Sequence, residues 1–390
     1  MVKQGIALSE VSLAATPETF LAWGQAGQEL LDRVSRASNT PHEQRILREF
    51  RRTEAIEVGG ITEHRWNKER QGNDGAQVRV TLEEIHAMQD KAGIRPRRPE
   101  GSKPIRLAVS NFKGGASKTT VALHLSHYLA FRGYRVLVID SDPQGTLSRM
   151  FGFLPESIDR DRTLASVFFP EDESTLRPIK THIDGLDMIP ASLHMIGADI
   201  QVAVAFQRQD AEARNFYRLV DNALSKIDDD YDIVVIDTAP AFSFAAVNIL
   251  WAANALLCPL PPVMSDFSAS IDFNRMVGDV LGEIVALVGG TKVWNPTVVM
   301  HSRGDSSTNA EGIRAFASSI WGINRCNEFL PESKAYQAAS SRLRSVYEMT
   351  AAELDSRSLG RARSAADRFG AQMVQYFNQA WAEQLAGGES

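Results

Sequence analysis

Residues 105–120 read IRLAVSNFKGGASKTT. An apolar, strand-like run leads into two adjacent glycines and then into a Lys-Thr pair that opens a helical stretch. A strand, a glycine-containing loop and a helix in this order bring backbone amides and a helix N-terminus to one place, where they can bind phosphate. The segment therefore predicts a phosphate site, with Lys118 directed at the β- and γ-phosphates and the Thr119 hydroxyl as a ligand of Mg²⁺.

From Ile105 onward, short runs rich in Val, Ile and Leu alternate with amphipathic helical stretches, such as Thr119 to Arg132 with Gly133 after it. This alternation predicts an α/β domain with a mainly parallel sheet covered by helices on both faces. In such sheets ligands bind at the carboxyl ends of the strands, where the glycine loop lies. The predicted strands are residues 105–110, 135–140, 186–190, 231–237, 255–260 and 293–300.

The whole chain has 390 residues, which suggests two or three domains. It contains no apolar run of about 18 residues, and its first residues, MVKQGIALSE, lack the apolar core of a signal peptide, so we expect neither a membrane span nor secretion. Two cysteines, Cys258 and Cys326, are too few for a zinc site or a disulfide framework. The formal net charge of -6 argues against nucleic-acid binding over the whole surface but leaves room for a local basic patch.

Residues 1–40 contain one predicted helix, which Thr16 can cap and Pro17 can begin. An amphipathic helix needs a surface on which to pack, so dimerisation through this helix and packing on its own domain remain equally open. Its apolar side consists of Phe20, Leu21, Leu30, Leu31 and Val34.

Residues 41–95 predict a small helical domain with a helix-turn-helix and a wing. A helix from Thr53 to Val58, a Gly59-Gly60 turn and a Thr62-capped helix are followed by an Asn-Asp-Gly turn within Gln71 to Val80. Apolar Ile56, Ile61 and Trp66 can hold the second helix, while its polar side chains stay free for phosphates and base edges. The alternative is a small helical domain whose charges are only solvated. The candidate DNA-binding residues of this helix are His64, Arg65, Asn67, Lys68 and Arg70.

A capping box, Thr81 to Glu84, begins the next helix. Beyond it, residues 96–104 contain Pro96, Pro99 and Pro104 among basic residues, which predicts an extended, exposed linker. We therefore place a domain boundary here and assign residues 105–390 to one large domain.

The phosphate loop departs from the ordinary P-loop pattern, because Phe112 and Ser117 stand where glycines are expected and a second lysine, Lys113, precedes the glycine pair. This KGGxxKT form resembles the deviant Walker A loop of the ParA/MinD superfamily of P-loop ATPases. Residues 138–145 (VIDSDPQG) resemble that superfamily's second nucleotide motif, and residues 233–240 (IVVIDTAP) resemble its Walker B strand.

The resemblance extends over most of the chain. The helix-turn-helix ahead of the ATPase domain is similar to the N-terminal region of the larger, type Ia plasmid partition ATPases, and LPESK at residues 330–334 and SVYE at residues 345–348 resemble that family's end region. The last predicted helix, residues 360–385, carries arginines together with acidic and small residues, so it does not predict a MinD-like membrane anchor.

The resemblance implies ATP and Mg²⁺ as cofactors and a homodimer that encloses two ATP molecules. Lys113 would reach the partner's nucleotide, Asp142 would position the attacking water, and Asp140 would support the metal shell. Asp237 would hold Mg²⁺ through water, and the adenine is expected near residues 259–263. The resemblance assigns ATP binding to Lys113, Gly114, Gly115, Ala116, Ser117, Lys118, Thr119 and Thr120.

Two further expectations concern Ser117 and the basic residues late in the chain. If position 117 has a positive φ, serine strains the loop by about 1 kcal/mol or more. Non-specific DNA binding in the family uses basic residues late in the ATPase domain, although each residue here could equally be a solvated surface charge. By approximate position the candidates are Arg303, Lys334, Arg342 and Arg344.

Together the motifs and the resemblance imply a cytoplasmic, nucleoid-associated partition ATPase. Its ATP-bound dimer would bind DNA non-specifically, a ParB-like adaptor would stimulate slow hydrolysis, and the N-terminal domain would bind operator DNA and repress the partition genes. Two alternatives remain open: a transcriptional regulator with a nucleotide effector, and an ATPase that positions a cargo other than DNA.

Overall fold

The computed structural model describes residues 16–38, 40–70, 78–169, 175–207, 211–304 and 308–387. The chain forms two compact units, residues 1–41 and residues 42–390. None of the described helices is both long enough and apolar enough to span a bilayer.

The described part of the first unit contains the helix α1 (Pro17–Ser38). The hydroxyl of Thr16 accepts a hydrogen bond from the Thr19 N–H at 3.4 Å, which is the cap that the sequence predicts. Phe20 and Leu21 are exposed, as is Leu30, and the side chains of Leu31 and Val34 lie outside the description. Both predicted roles of this helix therefore stay predictions.

The second unit begins with a helix-turn-helix region held by one two-stranded sheet. Phe50 pairs with Val80, so the strand that follows the predicted wing turn joins a strand that precedes both helices. The turn itself, residues 71–77, lies outside the described residues. The elements are β1 (Phe50–Arg51), α2 (Arg52–Gly59), α3 (Glu63–Glu69), β2 (Arg79–Val80) and α4 (Leu82–Ala92).

The helix ends of this region follow the local rules read from the sequence. Thr62 caps α3 by accepting from the Arg65 N–H, and the Thr81–Glu84 capping box begins α4. Gly60 ends α2 in the left-handed conformation (φ 58°), where glycine has no steric penalty. Trp66 is fully buried and holds α3 against the core.

The remainder of the second unit is built on an eight-stranded sheet in the order β10-β9-β8-β3-β7-β4-β6-β5. All neighbouring strands are parallel except β5, which runs antiparallel to β6 at the edge. The elements in chain order are β3 (Ile105–Val109), α5 (Lys118–Arg132), β4 (Val136–Asp140), α6 (Thr146–Met150), β5 (Ile179–Lys180), β6 (Leu186–Ile189), α7 (Met195–Gln207), α8 (Leu219–Leu224), β7 (Ile233–Asp237), α9 (Phe244–Ala252), β8 (Ala255–Leu260), α10 (Met264–Val288), β9 (Thr297–Gly304), α11 (Thr308–Trp321), β10 (Leu330–Pro331), α12 (Lys334–Ser340) and α13 (Ser356–Gly387).

The prediction of a mainly parallel sheet covered by helices is confirmed. Its three central strands, β3, β7 and β4, are buried at every residue, as expected for a sheet covered on both faces. The last long strand begins at Thr297 rather than Val293, since Pro296 has no N–H to donate to a ladder.

The predicted linker and domain boundary differ from the structure. Residues 96–104 are irregular, but the Arg98 N–H donates to Asp232 at 3.2 Å and the Arg97 guanidinium donates to the Gly133 carbonyl at 2.7 Å. The helix-turn-helix region shares one hydrophobic core with α5, where Phe50 meets Phe131 edge-on. Residues 42–390 form one unit, and the arginines of the segment pair with groups that directly precede the central strands β4 and β7.

Candidate functional site

The glycine loop joins the end of β3 to the start of α5. The Lys113 N–H donates to the Asn111 side chain at 3.2 Å, and the Lys118 ammonium donates back to the Lys113 carbonyl at 3.1 Å. Space around Gly114 and Gly115 is open, because a Cβ placed on either glycine would meet no atom within 4 Å. The loop thus presents an accessible backbone and one lysine at a helix N-terminus, where an anion is stabilised.

Ser117 occupies the left-handed region, with φ 70° and ψ 19°, directly before α5. Its side chain makes no cap hydrogen bond to the helix. The sequence expectation of strain at this position is therefore confirmed by the backbone, since a non-glycine residue in this region costs about 1 kcal/mol or more.

Replacing Ser117 by glycine should raise the free energy of unfolding by about 1 kcal/mol, because the left-handed conformation carries no steric penalty in glycine. Chemical denaturation of the nucleotide-free protein measures this. The matched control is Gly115→Ala at φ 78°, which has open space for a Cβ and should shift stability the other way through backbone strain alone. A Ser117→Gly variant that is no more stable than wild type, or a shift of the same sign in both variants, would contradict strain at Ser117.

Asp140 and Asp237 are brought together by the register of the sheet, in which they are paired across β4 and β7. One oxygen of Asp140 accepts from the Asp142 N–H at 3.1 Å, and the other accepts from the N–H and hydroxyl of Ser148 at 2.8 and 2.7 Å. Burial raises the pKa of Asp140 to about 7 in spite of these donors. Its carboxylate is thus engaged in holding the loop that follows β4.

Asp237 differs from Asp140 in its hydrogen bonding. Both of its carboxylate oxygens are buried, and neither has a hydrogen-bond partner among the described residues. Burial, and then the nearby charge of Asp140, raise the pKa of Asp237 well above its ordinary value, while Thr119 and Lys118 act in the other direction. A buried carboxylate without donors is costly unless a cation or a proton completes it.

The two lysines of the loop differ in their environment. Lys118 is buried, and its burial lowers the pKa of the ammonium group, although the carboxylates of Asp237 and Asp142 oppose that shift. Lys113 is partly exposed, and its ammonium lies 3.4 Å from the Ser265 hydroxyl at the start of α10. Lys118 is therefore directed into the site, and Lys113 lies at its rim.

Asp142 lies in the loop between β4 and α6 and is half-buried. Its Oδ1 accepts from the Gln144 N–H at 3.0 Å, and its carbonyl accepts from the Gly145 N–H at 2.8 Å. The negative charge of this carboxylate raises the pKa of the Lys118 ammonium, as does that of Asp237, so both carboxylates lie near Lys118.

A cavity of about 230 Å³ adjoins the phosphate loop beyond Ser117 and Thr120. Its other walls include Arg303 at the end of β9, Pro331 in β10 and Tyr336 in α12. The prediction of an adenine near residues 259–263 and the prediction that Arg303 binds DNA both stay predictions, while the structure places Arg303 beside the loop. Only the parallel pairing of β9 with β10 brings these distant residues together.

The predicted DNA-binding residues form two groups in the structure. On α3, His64, Arg65 and Lys68 are exposed, while Asn67 accepts from Arg52 at 2.9 Å and Arg70 lies 3.7 Å from Glu84. Among the residues that the structure describes, three of the five candidate side chains therefore make no such contact.

The second group lies around α12. Lys334 begins this helix and is exposed, and Arg342 donates to the Ala338 carbonyl at 3.3 Å. Arg344 pairs with Glu353 at 2.9 Å. Leu343 between the two arginines has φ 53°, so the turn that presents them is strained.

Several supporting residues of the site carry no sequence signal. Ser148 holds Asp140 and also accepts from the Ala191 N–H at 2.8 Å, and the Ser141 hydroxyl donates to the Asp237 carbonyl at 2.7 Å. Ser148 follows Asp140 by eight residues, a spacing that no local pattern explains. Within the described ranges, no group of three or more His, Cys, Asp and Glu side chains is arranged to hold a metal ion by itself.

Comparisons with known proteins match the region of the phosphate loop and, for some relatives, most of the chain. A family model described as an AAA domain matches residues 105–269. Protein SopA of Escherichia coli (strain K12) is 28% identical over 354 residues, which cover 85% of this chain and 89% of SopA. The chromosome partitioning protein ParA of Caulobacter vibrioides is 39% identical over 162 residues, which cover 41% of this chain and 57% of that protein.

Solved structures share the fold. One described as "Partition Protein" superposes with a TM-score of 0.64 at 19% identity and covers 93% of this chain and 98% of its own. Cobyrinic acid a,c-diamide synthase from Mycobacterium smegmatis, with bound ATP analog and magnesium, superposes with a TM-score of 0.54 at 22% identity, covering 70% of this chain and 96% of its own.

Proposed function

This chain belongs to the ParA/MinD superfamily, and we propose from that premise that it is a partition ATPase that segregates plasmid or chromosomal DNA. The observation that carries the ATPase part is the buried Asp237 carboxylate, without a donor among the described residues, next to Lys118 and a helix N-terminus. Such a constellation is completed by a cation together with an anion, which is the charge pattern of magnesium and a nucleotide's phosphates.

The residues fit ATP and Mg²⁺ in distinct ways. Mg²⁺ in proteins is held by one or two carboxylates together with substrate phosphates, so Asp237 and the Thr119 hydroxyl suffice on the protein side. When bound, Mg²⁺ supplies positive charge that neutralises the phosphate oxygens. We assign Asp140 to holding the loop that carries Asp142, because the oxygens of Asp140 already accept hydrogen bonds.

Hydrolysis then needs neutralised charge and an oriented water more than covalent help. Lys118 donates to the phosphates from its buried position, and the amides of Gly114 to Thr120 approach them closely because the glycines leave the backbone bare. Asp142 holds the attacking water by its carboxylate. The cavity between Thr120 and Pro331 receives the nucleoside, with Arg303 at its wall.

Dimerisation is the part of the proposal that Lys113 supports. Its ammonium lies at the rim and touches only the Ser265 hydroxyl in the hydrogen bonds described, so a second subunit's nucleotide can attract it. A lysine supplied in this way links nucleotide binding to pairing of two subunits, since each site is completed only by the partner.

The DNA-directed part rests on local basic groups in an acidic chain. The ATP-bound dimer binds nucleoid DNA non-specifically through the residues around α12, and a ParB-like adaptor stimulates slow turnover. The exposed face of α3 binds operator DNA and represses the partition genes. Such a protein works in the cytoplasm, associated with the nucleoid.

A regulator that uses nucleotide only as an effector is the second candidate. It is favoured by the shared core of the helix-turn-helix region and α5. This core packs the candidate operator-binding region directly on the helix that starts at the phosphate loop.

The experiment that separates the two is ATP turnover by the full-length protein, measured alone, with duplex DNA of arbitrary sequence, and with the product of the next gene as the candidate adaptor. We expect stimulation by both additions in wild type. Lys113→Ala should retain ATP-analogue binding as a monomer and lose ATP-dependent dimerisation in sedimentation. Absence of turnover in wild type under all conditions would leave the regulator as the better description.

A further inference from the structure

One side chain connects three parts of the second unit that are far apart in sequence. Arg45 lies in the irregular segment before β1, and its side chain is only 8% exposed. One guanidinium nitrogen donates to the carbonyl of Met150, and the other donates to the carbonyl of Leu343 at 3.1 Å. The carboxylate of Glu348 lies 4.0 Å away.

The first of these carbonyls belongs to the last residue of α6. This five-residue helix begins directly after the loop that carries Asp142, and its Ser148 is bonded to Asp140. The last carbonyls of a helix have no partner within it, and a cation placed there is favourable. Arg45 thus holds the far end of the short segment whose near end carries Asp142.

The second carbonyl belongs to the strained turn at Leu343. This residue has φ 53°, and its neighbours Arg342 and Arg344 are the candidate DNA-binding arginines. A non-glycine residue keeps such a conformation only where surrounding bonds impose it. The hydrogen bond from Arg45 is one of those bonds, so it also sets how the two arginines are presented.

The buried surroundings of Arg45 make its position well defined. Glu348 accepts from His127 at 3.2 Å, from His182 at 2.9 Å and from the Ser345 N–H at 2.8 Å. Burial alone would raise the pKa of Glu348, but the bonds from His127 and His182 outweigh it and hold that pKa well below its usual range. The carboxylate is therefore charged, and Arg45 is the cation of the segment before β1 that faces it.

We propose that Arg45 is a positioning residue through which the segment preceding the helix-turn-helix sets both the Asp142 loop and the turn that presents Arg342 and Arg344. The inference rests on the proposed ATPase function and specifies how its two activities are coupled. A shift of α6 on nucleotide binding moves an acceptor of Arg45, and the guanidinium transmits that shift to the turn. Coupling of this kind is reciprocal, so DNA on the turn must in the same way influence the Asp142 loop.

Arg48 provides a matched control in the same segment. It donates to the carbonyl of Tyr347 at 2.7 Å and pairs with Glu54, so it also anchors the segment to residues 343–347. In the hydrogen bonds described, it contacts neither Met150 nor Leu343. A role in docking the segment would make Arg45 and Arg48 equivalent, whereas a positioning role separates them.

The test uses full-length Arg45→Met, Arg45→Lys and Arg48→Met, with kcat and KM for ATP measured with and without duplex DNA. We expect Arg45→Met to lower the DNA-stimulated kcat about tenfold with KM within about twofold, because misplacement of a catalytic group affects turnover more than binding. The lysine ammonium can donate to one of the two carbonyls but cannot span both as the planar guanidinium does. Arg45→Lys should therefore recover part of the kcat that Arg45→Met loses. Arg48→Met should keep the wild-type ratio of stimulated to basal turnover.

Equal losses of DNA-stimulated kcat in Arg45→Met and Arg48→Met would overturn the inference. A wild-type DNA-stimulated kcat in both Arg45→Met and Arg45→Lys would overturn it as well. If Arg45→Met does not fold, Arg45→Lys decides alone: a reduced stimulation ratio at unchanged KM supports positioning, and an unchanged ratio refutes it. Wild-type protein without any turnover would instead refute the proposed function, which the wild-type arm shows by itself.

Discussion

Asp237→Asn is expected to stabilise the nucleotide-free protein by about 1–2 kcal/mol and to reduce ATP turnover by about 100-fold or more. Both effects have one cause. The wild-type carboxylate is buried without a donor among the described residues, beside Asp140. Asparagine has the same shape without the charge, so it removes the electrostatic cost in the free protein and the negative group that we assign to Mg²⁺.

The sign of the pH dependence follows from the direction of the pKa shift. The pKa of Asp237 is raised in the folded protein, so the folded state holds its proton to higher pH than the unfolded state does. The wild-type protein therefore loses stability relative to Asp237→Asn as pH rises above the ordinary aspartate range. The advantage of the variant should be present at neutral pH and vanish near about pH 3, where aspartic acid is neutral in both states.

Asp232→Asn is the matched control for this measurement. Asp232 is equally buried, but it accepts from the Arg98 and Arg135 N–H groups and from the Arg135 guanidinium, each within 3.2 Å. Its substitution should lower the free energy of unfolding, because charged hydrogen bonds are weakened. Chemical denaturation at two pH values and steady-state turnover provide the data. A loss of stability in Asp237→Asn as large as that in Asp232→Asn would show that Asp237 is not an uncompensated charge.

Asp142→Ala should lower ATP turnover by about 100-fold while the affinity for an ATP analogue changes by less than about threefold. The expected split arises because a water-positioning carboxylate acts during hydrolysis and contributes little to binding of the nucleotide. Stability should change by less than about 0.5 kcal/mol, since the side chain is half-buried and its described side-chain bond is to the Gln144 N–H at 3.0 Å.

Asp142→Asn separates charge from geometry at this position. Asparagine retains an oxygen that can accept from the Gln144 N–H, so the loop keeps its shape while the negative charge is lost. We expect turnover as low as in Asp142→Ala. Wild-type turnover in either variant would remove Asp142 from the mechanism and direct attention to the other groups near Lys118.

Local rules accounted for much of what the structure contains. The caps at Thr16, Thr62 and Thr81 and the left-handed glycine at 133 are set by residues within a few positions of one another, which is why their patterns can be read directly. The strand runs are equally local, because a strand buried on both faces is apolar at nearly every residue.

The prediction for Arg303 shows where such reasoning ends. Its place in the chain suggests DNA binding, which stays a prediction, but does not indicate that Arg303 lines the cavity beside Ser117 together with residues of β10 and α12. Which residues share a cavity depends on the order of strands in the sheet, and the pairing of β9 with β10 is not encoded in any short segment.

By itself the sequence determined the class of fold and the phosphate loop, because each depends on residue types at short spacing, while the three candidate carboxylates came from its resemblance to the ParA/MinD superfamily. Only the tertiary structure decided that Asp140 is bonded to Ser148 while the carboxylate oxygens of Asp237 have no hydrogen-bond partner in the described part of the chain, and that the helix-turn-helix region shares its core with α5. These properties depend on burial and on which partners meet across the sheet. Those contacts form between residues many positions apart, so a loop motif predicts that a carboxylate is present but not which groups satisfy it.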